Sequence, residues 1–448
     1  MFAVKRGEIR KRADVFFSLP IHKEILAEIK TSKYGSIELS EILIQLTDGT
    51  HYTPQYTEKG VPFISVVNVK ENHVDFSGTK FVSAEEHQTL TSRCKPEPTD
   101  ILLTKVGSIG RAVVIPPDAP EFSLFVSVAL LKANKELVSP RYLCAYLNTR
   151  YAYAQFQRHL KGIGVPDLHL ENIASTLIVY PKDLSTQERL CEQYYRAYNN
   201  HIAKRCEADE LLAGIDKLLL EQLGIAEIPV KPRIASAVTL GTVKIEKTIG
   251  AEYYHSERLT VIRAIENNPA VSTRKLADIV VFLRETISAG GEPYLGLAGV
   301  VSNTGELSGA KEEAEGQAFS YCAGDVLYAR LRPYLNKVLF TETNGVCSTE
   351  FHVMRVNCSD VLPEYLTAIM RSKIIVAQTK HMMTGNTHPR IANDDVRNLR
   401  IPVPSMDVQH TIINEMRKRV ERSRLLKREA EIEWTAAKER FERELMGN

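Results

Sequence analysis

No apolar run in this sequence is long enough to cross a membrane; segments such as LIVYP at 177 stop after a few residues. The N-terminus, MFAVKRGEIRKRAD, has no apolar signal core, which argues against export and reads as cytoplasmic. Cysteine is sparse. The seven cysteines form no CxxC pair and no Cys/His cluster at metal-ligand spacing, which points to ordinary thiols in a reducing compartment and to no metal site. An excess of one charge is also missing: 57 basic against 55 acidic side chains leave a net charge of +2, so basic residues would matter only if gathered on one face. Nor is catalytic equipment evident. GTVKIEKT and GSIGRAVV lack the spacing of a GxxxxGK[ST] phosphate loop, and there is no HExxH and no GxSxG. NNPA at 267 is not the tetrapeptide of an amino-methyltransferase. VPDLHLEN at 165 offers Asp167 and Glu171 but no lysine two residues further, so it is not a nuclease site. These absences argue for a binding scaffold with no catalytic residues.

What is present is a chain of 448 residues, too long for one ordinary core, with 44% apolar and 25% charged residues as in soluble globular proteins. It repeats itself. GVPFISVVNVKENHVDF (60–76) matches GEPYLGLAGVVSNTGEL (291–307), pairing Pro62 with Pro293 and Phe63 with Tyr294. PTDILLTKVGSIG (98–110) matches AGDVLYARLRPYLNK (323–337), each with an Asp, a Leu and then a basic residue: Asp100, Leu102, Lys105 and Asp325, Leu327, Arg330. LKGIGVPDLHLENIASTLIVYP (160–181) matches MTGNTHPRIANDDVRNLRIPVP (383–404), and STQERL at 185 matches MDVQHTI at 406. Four blocks in one order at nearly constant offset indicate a duplicated domain pair.

Each half opens with short alternating segments rich in Val, Ile and Phe and broken by Gly, Asn and Pro, the pattern of β-structure with many loops. Each ends in a long stretch of helical periodicity. Over 184–223 there is no proline, and Leu212, Ile215 and Leu219 follow three-and-four spacing, with Leu190, Tyr194 and Ile202 loosely on the same face. Over 407–446, Leu426, Ala430, Trp434, Ala437, Phe441 and Leu445 form a narrow apolar seam in a helix otherwise dominated by Arg, Lys and Glu. Such helices are roughly 55–60 Å long, and each seam needs a partner: the other helix, laid antiparallel, or the globular part of its own half. Trp434 reads as a core anchor of that seam. The predicted organisation is an α+β chain. One β-rich body spans 1–183, a long helix 184–223, a Pro/Gly-bearing linker 224–250, a second body 251–406 and a second long helix 407–448.

The segments DGTHYTPQYTEKGVPFISVVNV, TDILLTKVGSIGRAVVI, GDVLYARLRPYLNKV and GVCSTEFHVMR, with a proline and then a glutamine before and inside each long helix, resemble the specificity subunit of type I restriction–modification systems. The resemblance runs through both halves. It implies two target-recognition domains that each read half of a split target in double-stranded DNA, separated by two helices in a pseudo-two-fold antiparallel coiled coil. Two methyltransferase subunits would dock on those helices, with ATP-driven restriction subunits as possible further partners. No cofactor is expected in this chain; S-adenosylmethionine and ATP would belong to the partners. Two other readings stay open: a specificity subunit of a type IIB-like or other phage-defence complex, and a coiled-coil protein adaptor with no DNA role.

Candidate DNA contacts follow. In DGTHYTP, Asp48-Gly49 is expected to make a turn that presents Thr50, His51, Tyr52 and Thr53, unless the turn merely caps itself. Lys105, Ser108 and Arg111 surround a glycine-bounded loop whose N–H groups and cations suit phosphate, and Arg330, Arg332, Tyr334 and Lys337 occupy the matching place; a solvated strand face is the plain alternative. KGIGVPDLH adds Lys161 and His169, and TGNTHPR adds Asn386, Thr387, His388 and Arg390, with Asn386 suited to adenine and Arg390 to guanine. Ser348, Thr349 and Glu350 read as structural. Thr99 stands where the second half has Gly324, so the two turns are expected to differ, and the second half has no DGTH loop.

Overall fold

A computed structural model describes residues 17, 19–160, 164–225, 238–246, 249–288, 294–310, 312, 316–385 and 387–447. The chain forms two compact units, residues 1–203 with 429–448, and residues 204–428. Both mix helix and sheet, as expected.

The first unit opens with the helix Pro20–Thr31, a segment the alternating pattern did not reveal. Its main sheet has four antiparallel strands in the order Leu43–Asp48, Val128–Ala133, Ile101–Thr104, Ala112–Val114. The strand Ile101–Thr104 is buried on both faces, which is why ILLT reads as a continuous apolar run. A second, three-stranded sheet joins Lys80–Val82, Val61–Ile64 and Ser123–Leu124, with Phe63 parallel to Ser123. The helices Pro140–Leu147 and Arg150–His159 close the core. The second unit repeats this plan. Helix Ser256–Glu266 leads. The main sheet runs Val280–Leu283, Phe351–Val356, Val326–Ala329, Val338–Phe340, and Tyr294 lies parallel to Val346 in the second sheet. Pro363–Arg371 and Lys373–Thr379 are its closing helices.

The duplicated Asp phrase has a structural cause. Asp100 and Asp325 each stand one residue before the buried central strand. Asp100 Oδ2 accepts the Glu97 N–H at 2.9 Å and the Lys132 ammonium at 2.6 Å. Asp325 Oδ2 accepts the Cys322 N–H at 2.7 Å, and its two oxygens accept the Arg355 guanidinium at 2.7 and 2.9 Å. A buried carboxylate that closes a turn and meets a cation from the neighbouring strand is satisfied on every side. The turns before the two acids do not differ as expected. Thr99 and Gly324 both have positive φ, 74° and 92°, and donate N–H to equivalent carbonyls one residue past the return strand, Ile115 at 2.9 Å and Thr341 at 2.8 Å. The ladder overrides the β-branched residue's reluctance to enter the left-handed region.

The long helices differ from expectation in one place. The first is Leu184–Ala213 followed by Ile215–Gln222, and the second is the unbroken Met406–Met446. The interruption falls at Gly214, whose carbonyl accepts the Arg419 guanidinium at 2.9 Å; a Cβ there would lie 2.8 Å from Arg419 Nη1. The region between the halves, read as a plain linker, contains the helix Leu240–Glu246. Within the first unit the helices meet side to side. Tyr194 packs on Trp434 and Phe441, with centroids 4.7 and 5.3 Å apart, and His201 Nδ1 is 3.1 Å from the Ala430 carbonyl. Within the second unit, Asp209 meets Lys427 at 2.8 Å and, further along, the Gly214 carbonyl meets Arg419 at 2.9 Å. In both, rising numbers on the first helix meet falling numbers on the second, so the strips run antiparallel. Trp434 is buried in this packing, as predicted.

A buried glutamine ties each long helix to its unit. Gln187 accepts the Ser139 N–H at 2.7 Å and donates to the Leu137 and Pro181 carbonyls at 3.1 and 2.8 Å. Gln409 accepts the Leu362 N–H at 2.9 Å and donates to Asp360 and Pro404 at 2.8 and 3.1 Å. Both side chains are fully buried. Q409A leaves three interior backbone groups unpaired and is expected to cost about 2–3 kcal/mol, measurable as a lowered urea midpoint at unchanged slope.

Candidate nucleic-acid interface

The candidate residues collect at one end of each main sheet, where the central strand runs out. In the first unit that strand ends at Thr104, and the chain turns at Gly107 (φ 78°) and Gly110 (φ 86°) before returning at Arg111. The turn's own donors are spent inside. Gly107 N–H bonds the Pro166 carbonyl at 2.9 Å and Gly110 N–H bonds Thr104 at 3.0 Å, so these two N–H groups are not offered to phosphate as expected. Lys105 is also withdrawn. It is 5% exposed, with its ammonium 3.6 Å from Asp48 and 3.4 Å from Asp167. It is an interior link between the DGTHYTP loop and the 164–169 loop, because a buried ammonium must keep its counter-charges. Ser108 and Arg111 remain exposed at the cleft formed with Asn148, Arg150 and Tyr153, and His169 is exposed ahead of the short helix Leu170–Ala174. Lys161 lies outside the described residues.

Asp48 organises the neighbouring loop. Besides Lys105, its carboxylate lies 3.3 Å from Arg93 Nη2 and 3.3 Å from His51 Nε2. It ends a strand instead of opening a turn. Gly49 is required by close approach and not by left-handed φ: a Cβ would fall 2.1 Å from the Leu124 carbonyl oxygen. Thr50 is half-buried, bridging Phe125, while His51, Tyr52 and Thr53 face solvent. Tyr52 donates its hydroxyl to Glu86 at 2.9 Å, which raises its pKa and holds it protonated.

In the second unit the same frame carries different charges. Leu331 bridges Arg390, where the first unit bridges Val106 with Asp167. Arg330 therefore takes the place of Lys105, and Arg390 that of Asp167. The Arg390 guanidinium makes a fork onto Glu350, with contacts of 2.7, 3.1 and 3.2 Å, and Arg330 Nε stands 4.0 Å from the same carboxylate. Arg390 is the first cause of the lowered Glu350 pKa. Glu350, read as structural, thus aims two arginines; no single-residue signal marked it, since its partners are 20 and 40 positions away. Lys337 does not belong with the exposed cations: its ammonium donates to the Leu297 carbonyl at 2.7 Å. Tyr334 is 45% exposed, and Thr387 and His388 face solvent. Asn386 lies outside the described residues.

Arg332 is the unusual member. It sits where the first unit has Gly107, and like that glycine it is left-handed (φ 49°), its N–H bonding the Pro389 carbonyl at 2.7 Å. Its Nε, like that of Arg330, is buried without a hydrogen-bond partner among the described residues. A non-glycine residue kept in this region costs about 1–2 kcal/mol. Strain combined with an unspent donor marks a position chosen for its side chain. R332G is expected to raise stability by up to about 1 kcal/mol by relieving the left-handed strain, and R332A, which keeps a Cβ and therefore the strain, to leave it about unchanged; thermal melts of the two variants distinguish them.

Behind these arginines His352 is buried, its Nε2 without a partner among the described residues. Burial, then the nearby Arg330, pushes its pKa from 6.5 down to about 4. The unfolded chain therefore binds the extra proton between these values. Stability is full above about 6.5 and falls as pH drops towards 4. The contribution is at most about 3 kcal/mol, and H352Q is expected to flatten that limb of the stability–pH curve.

Residues 271–433 match the family model described as "Type I restriction modification DNA specificity domain". The HindI type I restriction enzyme specificity subunit of Haemophilus influenzae is 30% identical over 119 residues, 25% of this chain and 25% of that protein. The EcoDI specificity subunit of Escherichia coli is 24% identical over 143 residues, 31% of this chain and 32% of that protein. The aligned stretches thus span a quarter to a third of these relatives. A chain solved in work on assembly and conformational transition of a type I R-M system is 13% identical, covering 92% of this chain and 97% of its own length at a TM-score of 0.49.

Proposed function

We propose that this chain, a member of the type I restriction–modification specificity-subunit family, is the non-catalytic DNA-reading subunit of such a system. Each unit reads one half of a split target in double-stranded DNA through the end of its main sheet. The two long helices serve as an antiparallel coiled-coil spacer and as the docking surface for two methyltransferase subunits, with restriction subunits joining the assembly. S-adenosylmethionine and ATP belong to the partners.

The observation that carries this reading is one backbone frame written twice with different side chains at its tip. Strand, turn and return loop share the same hydrogen bonds, yet Lys105 and Asp167 in one unit answer to Arg330 and Arg390 in the other. A scaffold that only held partners would have no use for a strained Arg332. Two tips of unlike chemistry suit two different half-sites, with arginine forks matched to guanine edges or phosphate. Antiparallel helix strips in each unit support the spacer.

The test is to map modified bases in host genomes with and without this gene, and with a variant lacking one helical turn (about four residues) from each long helix. Deleting the gene is expected to remove methylation from one bipartite motif on both strands, and the shortened variant to move it to a motif with a shorter unread spacer. R332G is expected to weaken binding of the assembled complex on the order of tenfold. A gene deletion that leaves every motif methylated, in a strain whose methyltransferase partner is active, would overturn the proposal.

A further inference from the structure

We propose that His255, Glu257 and His381 in the second unit form a binding site for a divalent transition-metal ion of the zinc type. Each offers a ligand atom, and these atoms lie within 4.8 Å of one another. His381 Nε2 is already 3.0 Å from Glu257 Oε2. The imidazoles of His255 and His381 lie face to face, with centroids 3.5 Å apart and planes at 21°. Ligand atoms around a tetrahedral ion with bonds of 2.0–2.2 Å stand roughly 3.3 Å apart, so the spacing suits an ion once the two rings turn out of their stack to aim a nitrogen each at it. Two imidazoles and one carboxylate are the donors zinc prefers, and three protein ligands leave a fourth position open.

The surroundings agree. Lys380 donates to Glu257 Oε1 at 2.6 Å, which leaves the carboxylate one oxygen to offer and orients it. The ammonium also opposes a dication, so it lowers affinity. The site joins two elements. Glu257 lies in the first turn of helix Ser256–Glu266. His381 follows helix Lys373–Thr379 and precedes the paired strands Met383–Thr384 and Arg390–Ile391, whose loop carries Thr387 and His388. An ion here clips the base of that hairpin to the body of the unit.

The probe is Zn2+ titrated into the purified full chain against a competing chelator, with Co2+ as a spectroscopic stand-in. The wild type is expected to take up about one ion at this site, with a raised melting temperature and a Co2+ spectrum free of thiolate charge transfer. H381A and E257Q lose at least tenfold in affinity, while K380M, which keeps all three ligands, binds more tightly. Absence of uptake by the wild type would overturn the site. So would affinity unchanged in E257Q, or a thiolate charge-transfer band showing that exposed Cys206 or Cys322 holds the ion. K380M guards against loss through misfolding, and no step involves DNA, so the outcome is separate from that of the DNA-reading proposal.

Discussion

A buried primary amide sets how each long helix leaves its unit. Gln187 and Gln409 sit in the first turn of their helices, where helical N–H groups are unpaired, and each bonds three backbone groups of the adjoining loops. An amide bonded on three sides permits one orientation, since rotating the helix breaks bonds that water cannot replace. Asp183 reinforces the first of these joints: its carboxylate accepts the Thr186 N–H and the Ser185 and Thr186 hydroxyls, which draw its pKa down to about 2.

Beyond that joint, the two units show where a duplicated frame tolerates change. The satisfied interior is held constant: a carboxylate before the central strand, a glutamine in the long helix, a tyrosine hydroxyl donated to the final strand by Tyr142 in one unit and Tyr365 in the other. The tip is not. There the first unit spends its lysine internally between two acids, and the second gathers arginines around one glutamate. Changing a buried partner costs several kcal/mol, whereas changing an exposed tip residue costs little, so divergence concentrates where a ligand would be met.

Much of the plan was legible in one sequence. The repeat, the mixed helix-and-sheet halves and the seam through Trp434 follow from apolar spacing and matched blocks, which are local in the chain. The helices opening each unit were missed because short amphipathic segments among strands give little periodic signal. Of the candidate contacts, Lys105 and Lys337 proved to be held within their units, while Arg111, Tyr52, Tyr334, Thr387 and His388 face solvent.

The difference has a physical cause. The chain alone determined the long helices, the β-rich character of each half, their duplication and which residue types cluster near each strand end, because periodicity and spacing act along the chain. Tertiary structure alone decided which charges are consumed. Asp167 meets Lys105 across 62 residues and Glu350 meets Arg390 across 40. It also placed His255, Glu257 and His381 together and set Arg332 into a glycine's conformation. Whether a cation is spent or available depends on the nearest opposite charge in space, a quantity that one-dimensional spacing does not carry.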